Sequence, residues 1–319
     1  MKKTAVAASL ATGVALVGFL VAPAQAGPAP APTAVCVKPI ATRPGVPNRA
    51  PDTRAVSSSD AKAARALVRS TLANNRSALN DARIAADPVE VPVRVHILKG
   101  SHDDDRIASR TRVNESIDIL NDAYAGGQSG TNANAGVHFR IVSWDWTRWD
   151  RAYHARPFTK YDFRMRRTLH RGGPGTLNLY FSRPRPTDGS PNLGWSSFPQ
   201  DYSTWPRLDG VTVNIRSMPR GAYTNYNLGD TTVHEVGHWM GLFHTFEGGC
   251  DPYNDGVADT PAEAYPAAGC PEGSDSCPDD PGLDPIHNFM DYSIDPCMDE
   301  FTPGQVDLMH SSWLAYRAR

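Results

Sequence analysis

The chain has almost no charge imbalance. Its 32 Lys and Arg against 34 Asp and Glu leave a formal charge of −2 over 319 residues. No basic stripe dominates, so charge gives no reason to expect a nucleic-acid partner. Arg164, Arg166, Arg167 and Arg171 do cluster, and such a group reads as a solvated helix face. Beyond residue 26 no stretch is apolar enough to span a bilayer. Cysteine is scarce, five in all, and no Cys-x-x-Cys pair occurs, which argues against a zinc ribbon. After about residue 245 regular apolar periodicity gives out as well. Gly, Pro and Asp replace it, and four of the five cysteines, Cys250, Cys270, Cys277 and Cys297, fall in that stretch. In an exported chain they read as disulfides, with three possible connectivities.

Export is the expectation from the first residues. Lys2 and Lys3, the apolar run Ala5 to Val21, and the small-residue site Ala24-Gln25-Ala26 make residues 1–26 a signal peptide. No membrane association is expected once it is removed. Residues 27–88 are Pro- and Ala-rich, then helix-forming from Asp60 through Leu79, and read as a pro-segment. The remaining domain, 89–319, opens with Val91, Val93, Val95 and Ile97, the alternation of a half-buried strand, with Pro92 placing it at or near an edge. Val113, Ile117, Leu120 and Tyr124 recur at helical spacing until Gly126-Gly127. Further strands are expected at Val137 to Ile141, Leu177 to Phe181 and Val211 to Ile215, with Trp144, Trp146 and Trp149 as packing residues. Thr302-Pro303-Gly304-Gln305 is a capping box that opens a last helix. The fold class is therefore α+β: an upper mixed sheet with helices, and a smaller, irregular, disulfide-tied lower subdomain.

Between the two halves lies Asp230 to His244, Asp-Thr-Thr-Val-His-Glu-Val-Gly-His-Trp-Met-Gly-Leu-Phe-His. On a helix, His234 and His238 sit one turn apart on one face, with Glu235 beside them. Asp230, after Gly229, suits the N-cap. Gly241 can take the left-handed conformation that ends a helix and lets the chain bring His244 back as a third ligand. Three protein ligands leave a fourth position open, which marks catalytic rather than structural zinc. Zinc lowers the pKa of water there towards about 7, and Glu235 can take the proton as the water attacks a carbonyl. A zinc-binding module or adhesin without turnover is the alternative, but it would have no use for Glu235.

The motif, followed by Asn288-Phe289-Met290-Asp291-Tyr292, resembles the metzincin metallopeptidases, whose methionine turn lies beneath the metal. The wording from about Leu228 to Met309, with Asp259-Thr260-Pro261, Cys297-Met298 and Phe301 to Gln305, resembles the pappalysin family more closely. The resemblance implies a secreted zinc endopeptidase acting on protein or peptide substrates, with Met290 as a hydrophobic floor and Tyr292 assisting the reaction. It implies the pairs Cys250–Cys277 and Cys270–Cys297. It also implies calcium at the loop that carries Asp251, Asn254, Asp255, Asp259 and Thr260, whose oxygens are hard ligands. Asp295, five residues past Met290, would line the pocket for the side chain just after the cleaved bond and favour arginine. The substrate would lie along an edge strand near Gly194-Trp195-Ser196-Ser197. Cys36, the odd cysteine, would hold the enzyme latent by occupying the open zinc position.

Overall fold

The computed structural model describes residues 58–74, 88–101, 108–187 and 189–318. The expected signal peptide and Cys36 lie outside them. The expected first helix is α1 (Ser58–Asn74). It sets Ala61 against Phe198 and Phe243 and holds the Lys62 ammonium 4.0 Å from the centre of the Tyr253 ring. It thus packs on the same body as the catalytic domain.

β1 (Val89–Lys99) buries Val91, Val93, Val95 and Ile97, as its alternation requires. It is followed by α2 (Arg110–Tyr124), capped by the Ser109 hydroxyl, and by β2 (Val137–Arg148). A short helix α3 (Asp150–Tyr153), α4 (Lys160–Leu169), β3 (Leu177–Ser182), β4 (Gly194–Ser196) and β5 (Val211–Asn214) complete the upper half. The sheet order is β2-β1-β3-β5-β4, parallel except for β4, which runs antiparallel to β5 at the rim.

β1 lies near the edge of the sheet, one strand in from β2, and Pro92 stands before the ladder to β3 begins at Val93. One expectation changes: the arginine cluster is not all solvated. Arg166 is buried, paired with Asp162 at 3.0 Å and donating to Gly210 O, Leu208 O and the Thr212 hydroxyl, so it joins α4 to the loop before β5. Trp144 and Trp146 stack with each other under Arg110, and Trp146 stays part-exposed.

Below the sheet runs α5 (Asp230–Met240), every residue of it buried. The lower half has little regular structure until α6 (Pro303–Ser312), which ends in a π-turn at Trp313–Arg317. Its own apolar cluster is small, Ala267, Ile286, Cys297 and part-buried Ile294, and beside it stand the bridges Cys250–Cys277 and Cys270–Cys297, the pairing the resemblance implied. Each spans 27 residues, worth about 3.5 kcal/mol of chain entropy. The capping box is also formed: the Thr302 hydroxyl accepts from Gln305 N, and the Gln305 side chain accepts from Thr302 N.

Candidate active site

α5 starts one residue earlier than its sequence suggests. Gly229, at φ 121°, is the N-cap, and Asp230 is the first helical residue. No side chain caps the helix; instead Asp295 Oδ2, far away in sequence, holds the chain just ahead of it, accepting from Leu228 N (2.7 Å) and Gly229 N (3.2 Å). Burial, and then the charge of Asp295, push the Asp230 carboxyl well above the usual range. At the other end Gly241 takes φ 107°, the expected left-handed stop, and the chain doubles back to His244.

The turn brings the three imidazoles together. Nε2 of His238 lies 3.2 Å from that of His234 and 3.1 Å from that of His244, all fully buried. The opposite nitrogens settle the tautomers. His234 Nδ1 faces Phe289 O (2.6 Å), His238 Nδ1 faces Leu242 O (2.8 Å), and His244 Nδ1 faces the Glu247 carboxylate (3.0 Å). All three partners only accept, so each Nδ1 carries a proton and each Nε2 presents a lone pair. Three lone pairs at this distance repel one another unless a cation lies among them. Tetrahedral zinc, with bonds of about 2.0–2.1 Å, sets its ligand atoms about 3.3 Å apart, so the donor set fits the metal. Among the described residues two other groups could hold a metal, but both contain cysteines already joined in disulfides.

Glu235 is buried beside the triad, and β4 runs against it. A Cβ on Gly194 would lie 2.6 Å from Glu235 Cγ, so only glycine lets the edge strand come this close. Gly237 does the same for the turn below, where Met290 Sδ packs against its Cα face. Met290 N donates to the Asn288 side chain (3.0 Å), and Thr245 N donates to Met290 O (3.2 Å), tying the turn to the loop of His244. The Asn288 and Gln305 amides bond reciprocally at 2.9 Å, which attaches the turn to the capping box of α6. The Tyr292 ring meets His244 edge-on at 4.9 Å and His234 at 5.8 Å. Asp291, fully buried, accepts from Tyr292 N and Ala267 N, and burial raises its carboxyl. Glu263, raised by burial and then by the Asp291 charge, accepts from the Thr245 hydroxyl at 2.7 Å.

Several of the expected calcium oxygens have protein partners. Asp259 turns away to the N-terminus of α6, accepting from the Thr302 hydroxyl and Gly304 N at 2.8 Å each. Asp251 accepts from Tyr253 N, and Asn254 accepts from Gly256 N and donates to Thr260 O. Asp255 is the buried carboxylate of the loop, pushed up to about 8 by burial, with buried Thr260 beside it and Arg65 of α1 the nearby cation.

Glu247, Gly194, Gly237 and the Asn288–Gln305 pair were not singled out for these roles from sequence. The signals were present but mute: a Glu three residues past the third histidine, a Gly inside His-Glu-x-Gly-His, and two amides 17 residues apart.

A three-histidine centre under the antiparallel edge of a mostly parallel sheet, floored by a methionine turn, defines a metzincin metallopeptidase. Residues 176–313 match the peptidase family M43, described as pregnancy-associated plasma protein-A. An extracellular metalloprotease of Podospora anserina is 40% identical over 258 residues, 80% of this chain and 82% of that protein. One from Coccidioides posadasii is 39% identical over 249 residues, 76% and 84% of the two chains. Mirolysin in complex with compound 9 shares the fold, with a TM-score of 0.61 at 24% identity over 73% of this chain and 97% of that one. Mature mirolysin of Tannerella forsythia in complex with a cleaved peptide gives 0.59 at 23%, over 73% and 97%. The chain belongs to this pappalysin family of zinc metalloendopeptidases. Its relatives are named extracellular, and among the described residues no helix is long and apolar enough to cross a membrane.

Proposed function

We propose that His234, His238 and His244 hold the catalytic zinc and that Glu235 is the general base of a secreted endopeptidase. The observation that carries this reading is that all three Nδ1 protons point outward to acceptors, so all three Nε2 lone pairs converge, with Glu235 at their side and β4 against it. When bound, zinc polarises the scissile carbonyl and acidifies water. Glu235 takes a proton from the water whose oxygen adds to the carbonyl carbon. It then delivers that proton to the amine nitrogen as the C–N bond breaks, without a covalent enzyme intermediate. The substrate strand pairs antiparallel with β4, and Tyr292 lies beside the developing oxyanion. Met290 is the apolar floor.

Arginine is the preferred residue just after the cleaved bond. Asp295 and Asp230 are close enough for the charge of one to raise the other, and a guanidinium would relieve that repulsion. Asp295 also accepts from two backbone amides ahead of α5, which favours a second reading of it as an anchor for the helix. Residues 1–26 are removed on export and 27–88 are the pro-segment, with Cys36 enforcing latency. Calcium is held at Asp255 and Thr260. Asp259 would join them only by leaving its cap on α6.

The test is activity. Purified protein should cleave a peptide library, lose that activity to a chelator, regain it with zinc, and lose it in Glu235→Gln with metal content unchanged. Full turnover by Glu235→Gln would remove the general-base role.

A further inference from the structure

The three histidines are not held alike. His234 and His238 give their Nδ1 protons to the neutral carbonyls of Phe289 and Leu242, whereas His244 gives its proton to a carboxylate, Glu247 Oε1, at 3.0 Å. Glu247 reaches it by a tight turn, since Glu247 N also donates to His244 O at 3.1 Å. The residue is only 9% exposed. The His244 ring is packed against this turn: Phe246 stacks flat on it at 4.7 Å, and Tyr292 meets both rings edge-on at 4.9 Å each. The turn is held in place on both sides, by the Thr245 bond to Met290 O and by the bridge that starts at Cys250.

A buried carboxylate on the outer nitrogen of an imidazole draws its proton away and makes the inner nitrogen a stronger donor, while fixing the tautomer and the ring plane. A neutral carbonyl does less. From this asymmetry, and resting on the reading of the triad as the zinc site, we infer that Glu247 is a positioning residue that makes His244 the strongest of the three ligands and sets how long the metal stays. It touches neither substrate nor the reacting water. Its charge also adds a second carboxylate, with Glu235, to a centre whose ligands are all neutral.

The full chain, Glu247→Gln and Glu247→Ala would each be loaded with one equivalent of zinc. Release into excess chelator is then followed with a chromogenic zinc reporter, and thermal midpoints are recorded with and without zinc. Glu247→Ala should release zinc about 10–100-fold faster. Glu247→Gln, whose amide oxygen still accepts from Nδ1 but carries no charge, should fall between. The rise in midpoint on adding zinc should shrink in the same order. The visible absorption of the cobalt-substituted protein should shift in both variants, a signature that a purely structural residue would leave alone. Parent-like release and an unchanged zinc-induced rise in Glu247→Gln and Glu247→Ala would overturn the inference. If Glu247→Ala fails to fold, Glu247→Gln decides by itself. No zinc uptake by the unaltered chain would overturn the histidine site, and this inference with it.

Discussion

Arg317, two residues from the C-terminus, sits in a fully buried knot with Asp209 and Trp239. Its guanidinium lies 3.5 Å over the Trp239 ring and donates to Trp239 O, Pro174 O and both oxygens of Asp209. Asp209 also accepts from Trp239 Nε1 (3.0 Å) and the Ser197 hydroxyl (2.9 Å). The end of α5, the rim strand and the chain terminus therefore share one carboxylate. Removing one partner of such a buried pair costs about 3–5 kcal/mol. Arg317→Ala leaves Asp209 with two donors, so its cost should be near about 3 kcal/mol. Asp209→Ala strands a buried guanidinium and also orphans Trp239 Nε1 and Ser197, so about 5 kcal/mol is expected. At about 2–4 °C per kcal/mol for a domain of this size, the midpoints should fall by roughly 6–12 °C and 10–20 °C. The assay is thermal and urea unfolding at saturating zinc, because metal occupancy would otherwise shift the midpoint by mass action. The double variant should lose less than the sum of the two, with a coupling of about 2–3 kcal/mol. Losses below about 1 kcal/mol, or Arg317→Ala proving worse than Asp209→Ala, would refute the argument.

Asp295→Asn keeps an oxygen for Leu228 N and Gly229 N but removes the charge. It should leave the melting temperature near the parent's and cut kcat/KM on arginine peptides by orders of magnitude while sparing apolar ones; equal loss on both classes would make Asp295 only an anchor. Calcium at millimolar concentration should raise the thermal midpoint if Asp255 and Thr260 hold it, and an unmoved midpoint would end that assignment. Cys36→Ala precursor should be active before its pro-segment is removed, and a precursor silent with or without the thiol would discard the latency role.

Much of the site was legible because its decisive relations are local. Two histidines four residues apart share a helix face wherever the helix forms, and Gly241 is the residue best suited to a left-handed stop, so the triad follows from spacing. The capping box at Thr302 and the alternation of β1 are equally local, since each is set by torsions and by water on one side of a strand or helix. Only the tertiary structure could decide that β1 lies one strand in from the edge and that Arg166 is buried, because strand order is a matter of topology rather than of composition. The same holds for Asp295 anchoring the chain ahead of α5, 66 residues earlier, Asp259 capping α6, and Asp209 meeting Arg317 across 108 residues. Glu247 marks the boundary. It lies only three residues from His244, but a turn, unlike a helix, has no fixed direction for its side chains, and Phe246, Tyr292 and the methionine turn had to hold the ring before the carboxylate could reach it.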